Sequence, residues 1–263
     1  RMIQVNIINT VKTIKLLKNF NIKKYFSVST DKATNPINLM GGSKRIMELC
    51  LLNYSEEINI STARFANVAF SDGSILHSIK NRIEKKQPIS IPSDITRYFI
   101  SPLESGQLCV LSAILGENRD VFFPKFNSKD LINIKDILVF YLRSHNFEPF
   151  FCYKEDDART LIKTLPNQKK WPVLLTKSDT TGEKLYEEFY TEDEIVDSTR
   201  FKNISVIKNS CFQDNYSIEK FIGGVEILKS NKNWSKAEII SLFQSIIKDF
   251  NYEDKGKYLD SKM

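Results

Sequence analysis

Residues that build metal sites and hydrolytic triads are scarce in this sequence. The 263 residues include two histidines, His77 and His145, and neither has a second metal-ligating residue nearby in the sequence. A zinc site needs several ligands close together, and a Ser-His-Asp triad needs a histidine beside a serine and an aspartate. Neither arrangement is indicated, so we assign both histidines to packing or the surface. The four cysteines are widely spaced, with no CxxC pair: Cys50, Cys109, Cys152 and Cys211. This spacing predicts reduced thiols and a cytoplasmic protein rather than a secreted disulfide scaffold.

Long apolar runs and a glycine-rich phosphate turn are also absent from the sequence. No apolar run approaches the roughly 20 residues that a membrane helix needs, so we expect no membrane segment in this chain. The nine glycines form no GxGxxG pattern, the turn that packs a dinucleotide pyrophosphate against a helix N-terminus. The first residue is Arg1 rather than methionine, from which we expect a natural start further upstream.

The charged residues make the chain basic without forming a basic patch. Lysine and arginine total 38 against 32 aspartates and glutamates, a net charge of +6, and acidic residues are scattered among the lysines. We therefore predict a solvated, lysine-rich surface and no nucleic-acid partner. A basic cleft for a diphosphate substrate would also fit this charge.

The stretch from Ser27 to Arg45 combines a predicted strand, two charged residues and a predicted helix. Aromatic, β-branched and hydroxyl residues indicate a strand, and Asp31 and Lys32 follow at its carboxyl end. Open α/β sheets bind their ligands at that end. An Asn-Pro pair then breaks the chain, and the following helix presents Met40 and Lys44 on one face, because they are four residues apart.

Helix and strand patterns continue to alternate along the rest of the chain, which predicts an α/β fold. The predicted helices cover 3–20, 74–87, 102–115 with a Ser101–Glu104 capping box, 155–165, and a tail helix capped by Ser235 and Glu238. A strand turn and a helix are predicted over 131–145. The predicted strands cover 58–64, 88–92, 121–123, 173–176 and 203–207, and 121–123 is expected to be the last strand of its sheet.

Five blocks in a fixed order resemble a known enzyme family. They are the segment STDKATNPINLMGGSKR, then RFANV from Arg64, DGS from Asp72, DITRYF from Asp94 and GEKLYEE from Gly182. Together they resemble the extended short-chain dehydrogenases/reductases, in particular the UDP-N-acetylglucosamine 4,6-dehydratases of polysaccharide biosynthesis. The resemblance covers most of residues 5 to 190.

This resemblance implies a specific domain organisation. Residues 1–73 and 94–125 would form part of an NAD(P)-binding Rossmann domain, the carboxyl-terminal part of a doubly wound parallel sheet. Residues 74–93 and 126–213 would form a smaller, interleaved α/β substrate domain, and residues 214–263 a helical extension. The amino-terminal half of the Rossmann domain, with its main phosphate-binding loop, would be missing from this chain.

The resemblance also implies catalytic roles. A 4,6-dehydratase oxidises sugar carbon 4, eliminates water across carbons 5 and 6 and returns the hydride to carbon 6. Asp31 would protonate the leaving hydroxyl, and Lys32 would remove the carbon 5 proton once burial and nearby positive charge lower its pKa. Thr30 would bond the carbon 4 oxygen, and Lys44 would hold the nicotinamide ribose. Met40 replaces the family's usual tyrosine, and a thioether cannot accept the carbon 4 proton, which must leave through Thr30, a water or Lys44.

Further residues are implied as ligands of NADP (or NAD) and of a UDP-sugar. The cofactor candidates besides Lys44 are Asn6, Ser29 and Phe65. The substrate candidates are Asn67, Ser74, Arg97 and Glu183. Guanidinium matches phosphate oxygens, so Arg97 is a candidate diphosphate clamp. Without the resemblance, Asn6 is an exposed helix residue, Asn67 a turn residue and Arg97 a surface arginine.

Three alternatives stay open at this point. The first is a nucleotide-sugar 4-epimerase of the same superfamily. The second is a non-catalytic nucleotide-sugar-binding or interaction module, and the third is an inactive relative. Homo-oligomers are common in the resembled family, so we expect a homo-oligomer.

Overall fold

The computed structural model describes residues 1–178, 184, 187–208, 215–231, 234–248, 250–252 and 256. The chain divides into two compact units. Unit 1 comprises Arg1–Ala66, Ser105–Lys125 and Glu187–Glu253. Unit 2 comprises Asn67–Glu104, Phe126–Tyr186 and Asp254–Met263.

Helices and strands alternate along the described residues. The strands are β1 (Tyr25–Thr30), β2 (Ile60–Phe65), β3 (Asn67–Val68), β4 (Ile89–Pro92), β5 (Thr96–Arg97), β6 (Phe99–Ile100), β7 (Asp120–Pro124), β8 (Ile132–Asn133), β9 (Glu148–Cys152), β10 (Lys170–Thr176), β11 (Ile195–Asp197) and β12 (Ile204–Lys208). The α-helices are α1 (Asn9–Leu17), α2 (Leu39–Tyr54), α3 (Ile75–Glu84), α4 (Pro102–Leu115), α5 (Ile134–Ser144), α6 (Glu155–Leu161), α7 (Asn215–Ser230) and α8 (Lys236–Gln244).

Unit 1 is built on a five-stranded sheet in the order β1-β2-β7-β12-β11. β1, β2 and β7 are parallel, and the register pairs Ser29 with Arg64 and Thr30 with Phe65. The carboxyl ends of β1 and β2 therefore lie side by side. This sheet, with its connecting helices, confirms the predicted α/β class.

The far side of this sheet differs from the sequence-based expectation. The predictions end the sheet at β7 and assign residues 126–213 to the substrate domain. In the structure β12 pairs antiparallel with β7, and β11 pairs antiparallel with β12. Val206 and Ile207 of β12 are fully buried. Pairing with β7 satisfies the backbone hydrogen-bonding groups of this buried strand, and an antiparallel strand can join there without a crossover helix.

The helices of unit 1 form one apolar core around α2. The predicted helix over 3–20 is a π-helix, Ile3–Ile8, followed by α1. Both segments pack against α2, whose Ile46, Leu49 and Cys50 are buried. α2 is nearly enclosed, so its polar residues need partners inside the protein.

The carboxyl-terminal helices, predicted as a helical extension, dock onto the body of unit 1 and complete this core. Phe221 of α7 and Phe243 of α8 are almost completely buried in the same apolar cluster as α2. Ser235 and Glu238 form the predicted capping box of α8. A Cβ at Gly42 of α2 would lie 2.7 Å from Phe243 Cδ1 and 3.1 Å from Phe250 Cε2, so only glycine allows this approach.

Unit 2 contains a parallel three-stranded sheet in the order β4-β10-β9 and two short ladders, β3-β6 and β5-β8. α3 and α5 cover the sheet with a core that includes Leu76, Ile89, Leu138 and Val173. Within the described residues, no helix is both long and apolar enough to cross a bilayer.

The Gly42 contact gives a stability prediction. Gly42→Ala should lower the free energy of unfolding by about 1–3 kcal/mol, because the added methyl group meets two buried rings. The matched control is Gly223→Ala, a helical glycine with nothing within 4 Å of its Cβ position. This control should raise stability by about 0.5–1 kcal/mol. Urea unfolding followed by circular dichroism measures both free energies of unfolding. An equal increase in the two variants would contradict the close packing of Gly42 against Phe243 and Phe250.

Candidate active site

Three of the predicted catalytic residues lie in direct contact at the carboxyl end of β1. The Thr30 hydroxyl donates to Asp31 Oδ1 at 2.6 Å, and Lys32 Nζ lies 3.1 Å and 3.3 Å from the two Asp31 carboxylate oxygens. Asp31 is only 3% exposed, whereas the Lys32 side chain is 36% exposed. The arrangement holds a buried carboxylate between a hydroxyl group and an amine that can reach solvent.

Glycine at the start of α2 fixes the turn that carries Asp31 and Lys32. This turn is a short 3-10 helix, Asp31–Ala33, capped by the Thr30 hydroxyl, which accepts from the Lys32 backbone N–H. A Cβ at Gly41 would collide with the Lys32 carbonyl oxygen. Asn38 caps α2 by accepting from Gly41 N at 2.7 Å. The close approach of helix and turn therefore requires glycine at position 41.

Lys44 reaches the active-site strand from α2. Its Nζ donates to the Val28 carbonyl at 3.0 Å. Burial lowers the pKa of Lys44, and the negative charge of Glu48 partly opposes this effect. The Lys44 amine is therefore held on a β1 carbonyl, close to the strand end that carries Thr30 and Asp31.

Met40 and Asn6 are connected through one serine. Asn6 Nδ2 donates to Ser43 Oγ at 2.9 Å, and the Ser43 hydroxyl donates to the Met40 carbonyl at 2.7 Å. Asn6 is thus tied to the first turn of α2 and is not simply an exposed helix residue. The Met40 thioether offers no proton acceptor of the kind that a tyrosine would provide.

The side chains of Ser29 and Phe65, two predicted cofactor residues, point into the protein. Ser29 is 3% exposed and donates to Glu48 Oε1 at 2.6 Å, and Phe65 is 7% exposed. In this structure the Ser29 hydroxyl serves a buried carboxylate. Contact with a ligand at these two positions would therefore have to come from the backbone.

Three of the four substrate candidates are described, and each of these has contacts within unit 2. Asn67 Nδ2 donates to the Tyr98 carbonyl at 3.1 Å. Arg97 donates to the carbonyls of Thr96 and Lys184, both at 2.9 Å. The Ser74 hydroxyl caps α3. Glu183 lies outside the described residues.

A buried charge cluster of Arg64, Glu48, Glu194 and Arg45 lies behind the strand end. Arg64 is fully buried and binds Glu48 through two bonds of 3.0 Å and 2.8 Å, and Glu194 through two bonds of 2.7 Å and 2.8 Å. It also donates to the Phe189 carbonyl at 2.7 Å. Arg45 lies 3.1 Å from Glu48 and 3.2 Å from Glu194. Two positive and two negative charges therefore balance inside unit 1.

Pairing within the cluster overcomes the cost of burial. Burial alone would raise the pKa of Glu48, but the charge and hydrogen bonds of Arg64 lower it to about 2. The same pairing raises the pKa of Arg64 against the opposing effect of burial. The cluster is therefore ionised at neutral pH.

Sequence patterns did not single out this cluster. Arg64 is the first residue of the RFANV block, but the block itself assigns no partner to it. The Lys44–Glu48 spacing of four residues was the available signal, because it places a carboxylate on the Lys44 face of α2. Glu194 could not be found in this way, because it follows Arg64 by 130 residues.

The family model described as polysaccharide biosynthesis protein matches residues 1–209. The chain belongs to the polysaccharide biosynthesis protein family. This family is part of the extended short-chain dehydrogenases/reductases, so the resemblance found in the sequence blocks is confirmed at this level.

Two relatives show how much of the chain the family likeness covers. An uncharacterized membrane protein of Methanocaldococcus jannaschii is 28% identical over 247 residues, which are 89% of this chain and 68% of that protein. The capsular polysaccharide biosynthesis protein CapD of Staphylococcus aureus is 29% identical over 193 residues, 72% of this chain and 31% of CapD. The chain therefore spans about a third of CapD.

Two solved structures share the fold of this polysaccharide biosynthesis protein. Pen from Bacillus thuringiensis has a TM-score of 0.63 at 21% identity, over 80% of this chain and 59% of Pen. DesIV from Streptomyces venezuelae, a dTDP-glucose 4,6-dehydratase solved with NAD and TYD, has a TM-score of 0.53 at 10% identity, over 71% of this chain and 57% of DesIV. At these identities the likeness concerns the fold alone.

Lys44 is the residue of this site that could hold one end of a nicotinamide dinucleotide. Its amine lies at the β1 strand end and is a suitable donor to ribose hydroxyls. The sequence contains no glycine-rich turn for the pyrophosphate. Among the described residues, no group of three histidine, cysteine, aspartate or glutamate side chains could hold a metal ion.

The buried charge cluster predicts a loss of stability in acid. The pKa of Glu48 is lowered from 4.5 to about 2, so its ionised form stabilises the fold above about pH 4.5. This contribution, about 3 kcal/mol, should disappear as the pH falls from about 4.5 to about 2. Unfolding free energies measured by urea titration across this range provide the test.

A variant pair isolates Glu48 in this measurement. Glu48→Gln should lower stability at neutral pH and flatten the acid dependence. Glu148→Gln, which removes an exposed carboxylate paired with Arg143, is the matched control and should leave the pH dependence almost unchanged. An unaltered acid profile in Glu48→Gln would show that the cluster does not titrate as described.

Proposed function

We propose that this chain carries the catalytic residues of an NADP-dependent UDP-N-acetylhexosamine 4,6-dehydratase that supplies a 4-keto-6-deoxy nucleotide sugar for surface-glycan biosynthesis. The proposal rests on the contacts of Asp31, which holds the Thr30 hydroxyl at 2.6 Å and the Lys32 amine at 3.1 Å. Eliminating water requires one group that protonates the leaving hydroxyl and another that removes a proton from the neighbouring carbon. Asp31 and Lys32 are suited to these tasks, and the likeness to CapD supports the glycan pathway.

The Thr30–Asp31 hydrogen bond supports a route for the proton that a tyrosine would otherwise take. The carbon 4 hydroxyl gives its proton to Thr30 Oγ1, while Thr30 passes its own proton to Asp31 along the 2.6 Å bond. Asp31, now a carboxylic acid, gives this proton to the carbon 6 hydroxyl, which leaves as water. Asp31 starts and ends the cycle as a carboxylate, so the protons balance without a base at Met40.

Lys32 is the proposed base at carbon 5. Its amine lies 3.1 Å from Asp31 Oδ1, next to the proposed acid. The exposed part of Lys32 lets the amine give one proton to solvent before elimination and regain one from solvent after turnover. The neutral amine takes the carbon 5 proton during elimination and returns it to carbon 5 at the end of the reaction.

Other residues are proposed to bind and orient. When bound, the nicotinamide cofactor supplies the reversible hydride acceptor for carbons 4 and 6. Lys44 would donate to its ribose, with Asn6 supporting the first turn of α2. Asn67 and Arg97 would donate to the nucleotide sugar. A cytoplasmic location and a homo-oligomeric state stay predictions.

Loss of the proton route is the direct test. Thr30→Val and Asp31→Asn should each lower kcat by about 10²–10⁴-fold, because each removes a proton-transfer group. UDP-sugar affinity, measured by calorimetry, should change little. The assay uses the longest polypeptide that the gene encodes, since these 263 residues contain no glycine-rich turn.

The matched control for Thr30→Val is Thr13→Val on the exposed face of α1. It makes the same chemical change away from β1 and should keep the kcat of the unaltered protein. Full turnover by Thr30→Val would rule out the Thr30 route, and full turnover by Asp31→Asn would rule out the dehydratase assignment.

The mass of the product separates a dehydratase from a 4-epimerase. Incubation with UDP-N-acetylglucosamine and NADP should give a product lighter by one water, because elimination removes the carbon 6 hydroxyl. An epimerised product of unchanged mass would replace the proposal with the epimerase. Binding of the UDP-sugar without any product would indicate a non-catalytic module.

A further inference from the structure

Lys44 and Glu48 have the spacing of a helical ion pair but do not form one. They are four residues apart on α2, where opposite charges commonly pair. The Lys44 amine instead donates to the Val28 carbonyl of β1 at 3.0 Å. Within the described part of the chain, no carboxylate lies within ion-pair distance of Lys44.

The reason lies in the partners of Glu48. Both of its carboxylate oxygens accept from Arg64, Oε1 at 3.0 Å and Oε2 at 2.8 Å. Oε1 also accepts from Ser29 at 2.6 Å, and Oε2 from Arg45 at 3.1 Å. Glu48 is only 1% exposed, and Arg64 of β2 is fully buried. The bonds from Arg64 therefore hold the Glu48 carboxylate towards β2.

We propose that Arg64 is a positioning residue that withholds Glu48 from Lys44, which keeps the Lys44 ammonium directed at the end of β1 where a ligand can use it. Arg64 can do this because its planar fork occupies both carboxylate oxygens at once, and lysine cannot match that geometry. Arg64 is itself held in place by Glu194 and the Phe189 carbonyl. The segment before β11 therefore helps to set the state of Lys44.

Glu48 is the carboxylate whose charge acts on Lys44. Its charge acts to raise the pKa of Lys44, and burial acts in the other direction. On the elements in direct contact with α2, the other carboxylates are already engaged: Asp31 with Lys32 and Glu238 in the cap of α8. Their remaining ionisable groups are Lys12, Lys15, Tyr25, Lys236 and Arg64. The helix α7 shares the core of α2 and carries two exposed carboxylates, Glu219 and Glu226.

Competitive acetylation of the purified chain, followed by mass spectrometry of the Lys44 peptide, tests the proposal. The pH is varied between about 7 and about 11, around an ordinary lysine pKa. In Arg64→Met the released Glu48 should pair with Lys44 and shift the labelling midpoint upwards by about one pH unit. The double variant Arg64→Met/Glu48→Gln should return the midpoint to its original value or below.

A surface pair provides the control for this experiment. Arg143 also forms a forked pair with a glutamate, Glu148, but both side chains are more than half exposed. Arg143→Met should leave the Lys44 midpoint unchanged. An unchanged midpoint in Arg64→Met that is folded by circular dichroism would overturn the proposal.

The design also covers a variant that does not fold. If Arg64→Met is unfolded, the double variant Arg64→Met/Glu48→Gln is compared with Glu48→Gln alone. Both of these proteins carry glutamine at position 48, so neither contains an unpaired glutamate there. The proposal requires the two midpoints to agree, because Arg64 acts on Lys44 only through Glu48. Different midpoints would overturn it.

The role of Lys44 as a donor to a nicotinamide ribose rests on the proposed function. The labelling experiment is independent of that function. Labelling needs neither cofactor nor substrate, so it remains decisive if no dehydration is found. If dehydration is found, Arg64→Met should lower kcat, and Glu48→Gln in the same chain should restore part of it. A purely structural role for Arg64 predicts no such rescue.

Discussion

The fold of unit 1 depends on the ion pairs of Arg64, whose guanidinium is fully buried. It connects β2 to α2 through Glu48 and to the segment before β11 through Glu194. Removing one partner of such a buried pair costs about 3–5 kcal/mol, since a charge is left without compensation. Ser29 extends the connection to β1. Two strands, a helix and a distant segment thus share one set of charges.

This constraint places the chemistry of the strand end. Glu48 is turned inwards, so Lys44 contacts the Val28 carbonyl, while Gly41 lets α2 approach the turn that carries Lys32. Side chains fixed in this way lose little conformational entropy when a ligand binds. The candidate site is therefore built on an ionic core rather than on loops alone.

Local sequence patterns predicted the elements better than their assembly. The strand before Asp31, the helix after Asn38 and the capping box at Ser235 are decided by neighbours within a few residues, and all three are present. The pairing of β12 with β7 was not predicted, because no short-range pattern states which strand an apolar segment will join. The pattern of the carboxyl-terminal helices likewise predicted an apolar face but not which part of the protein would cover it.

The sequence by itself determined the α/β class, the family blocks and the adjacency of Thr30, Asp31 and Lys32, which are consecutive residues. The tertiary structure decided which side chains are available there. Ser29 faces Glu48, Asn6 is tied to Ser43, and Lys44 is separated from a carboxylate one helical turn away. The physical reason is that a buried charge must be compensated by whichever group the fold brings to it. Arg64 and Glu194 are 130 residues apart in the chain and meet only in the folded structure.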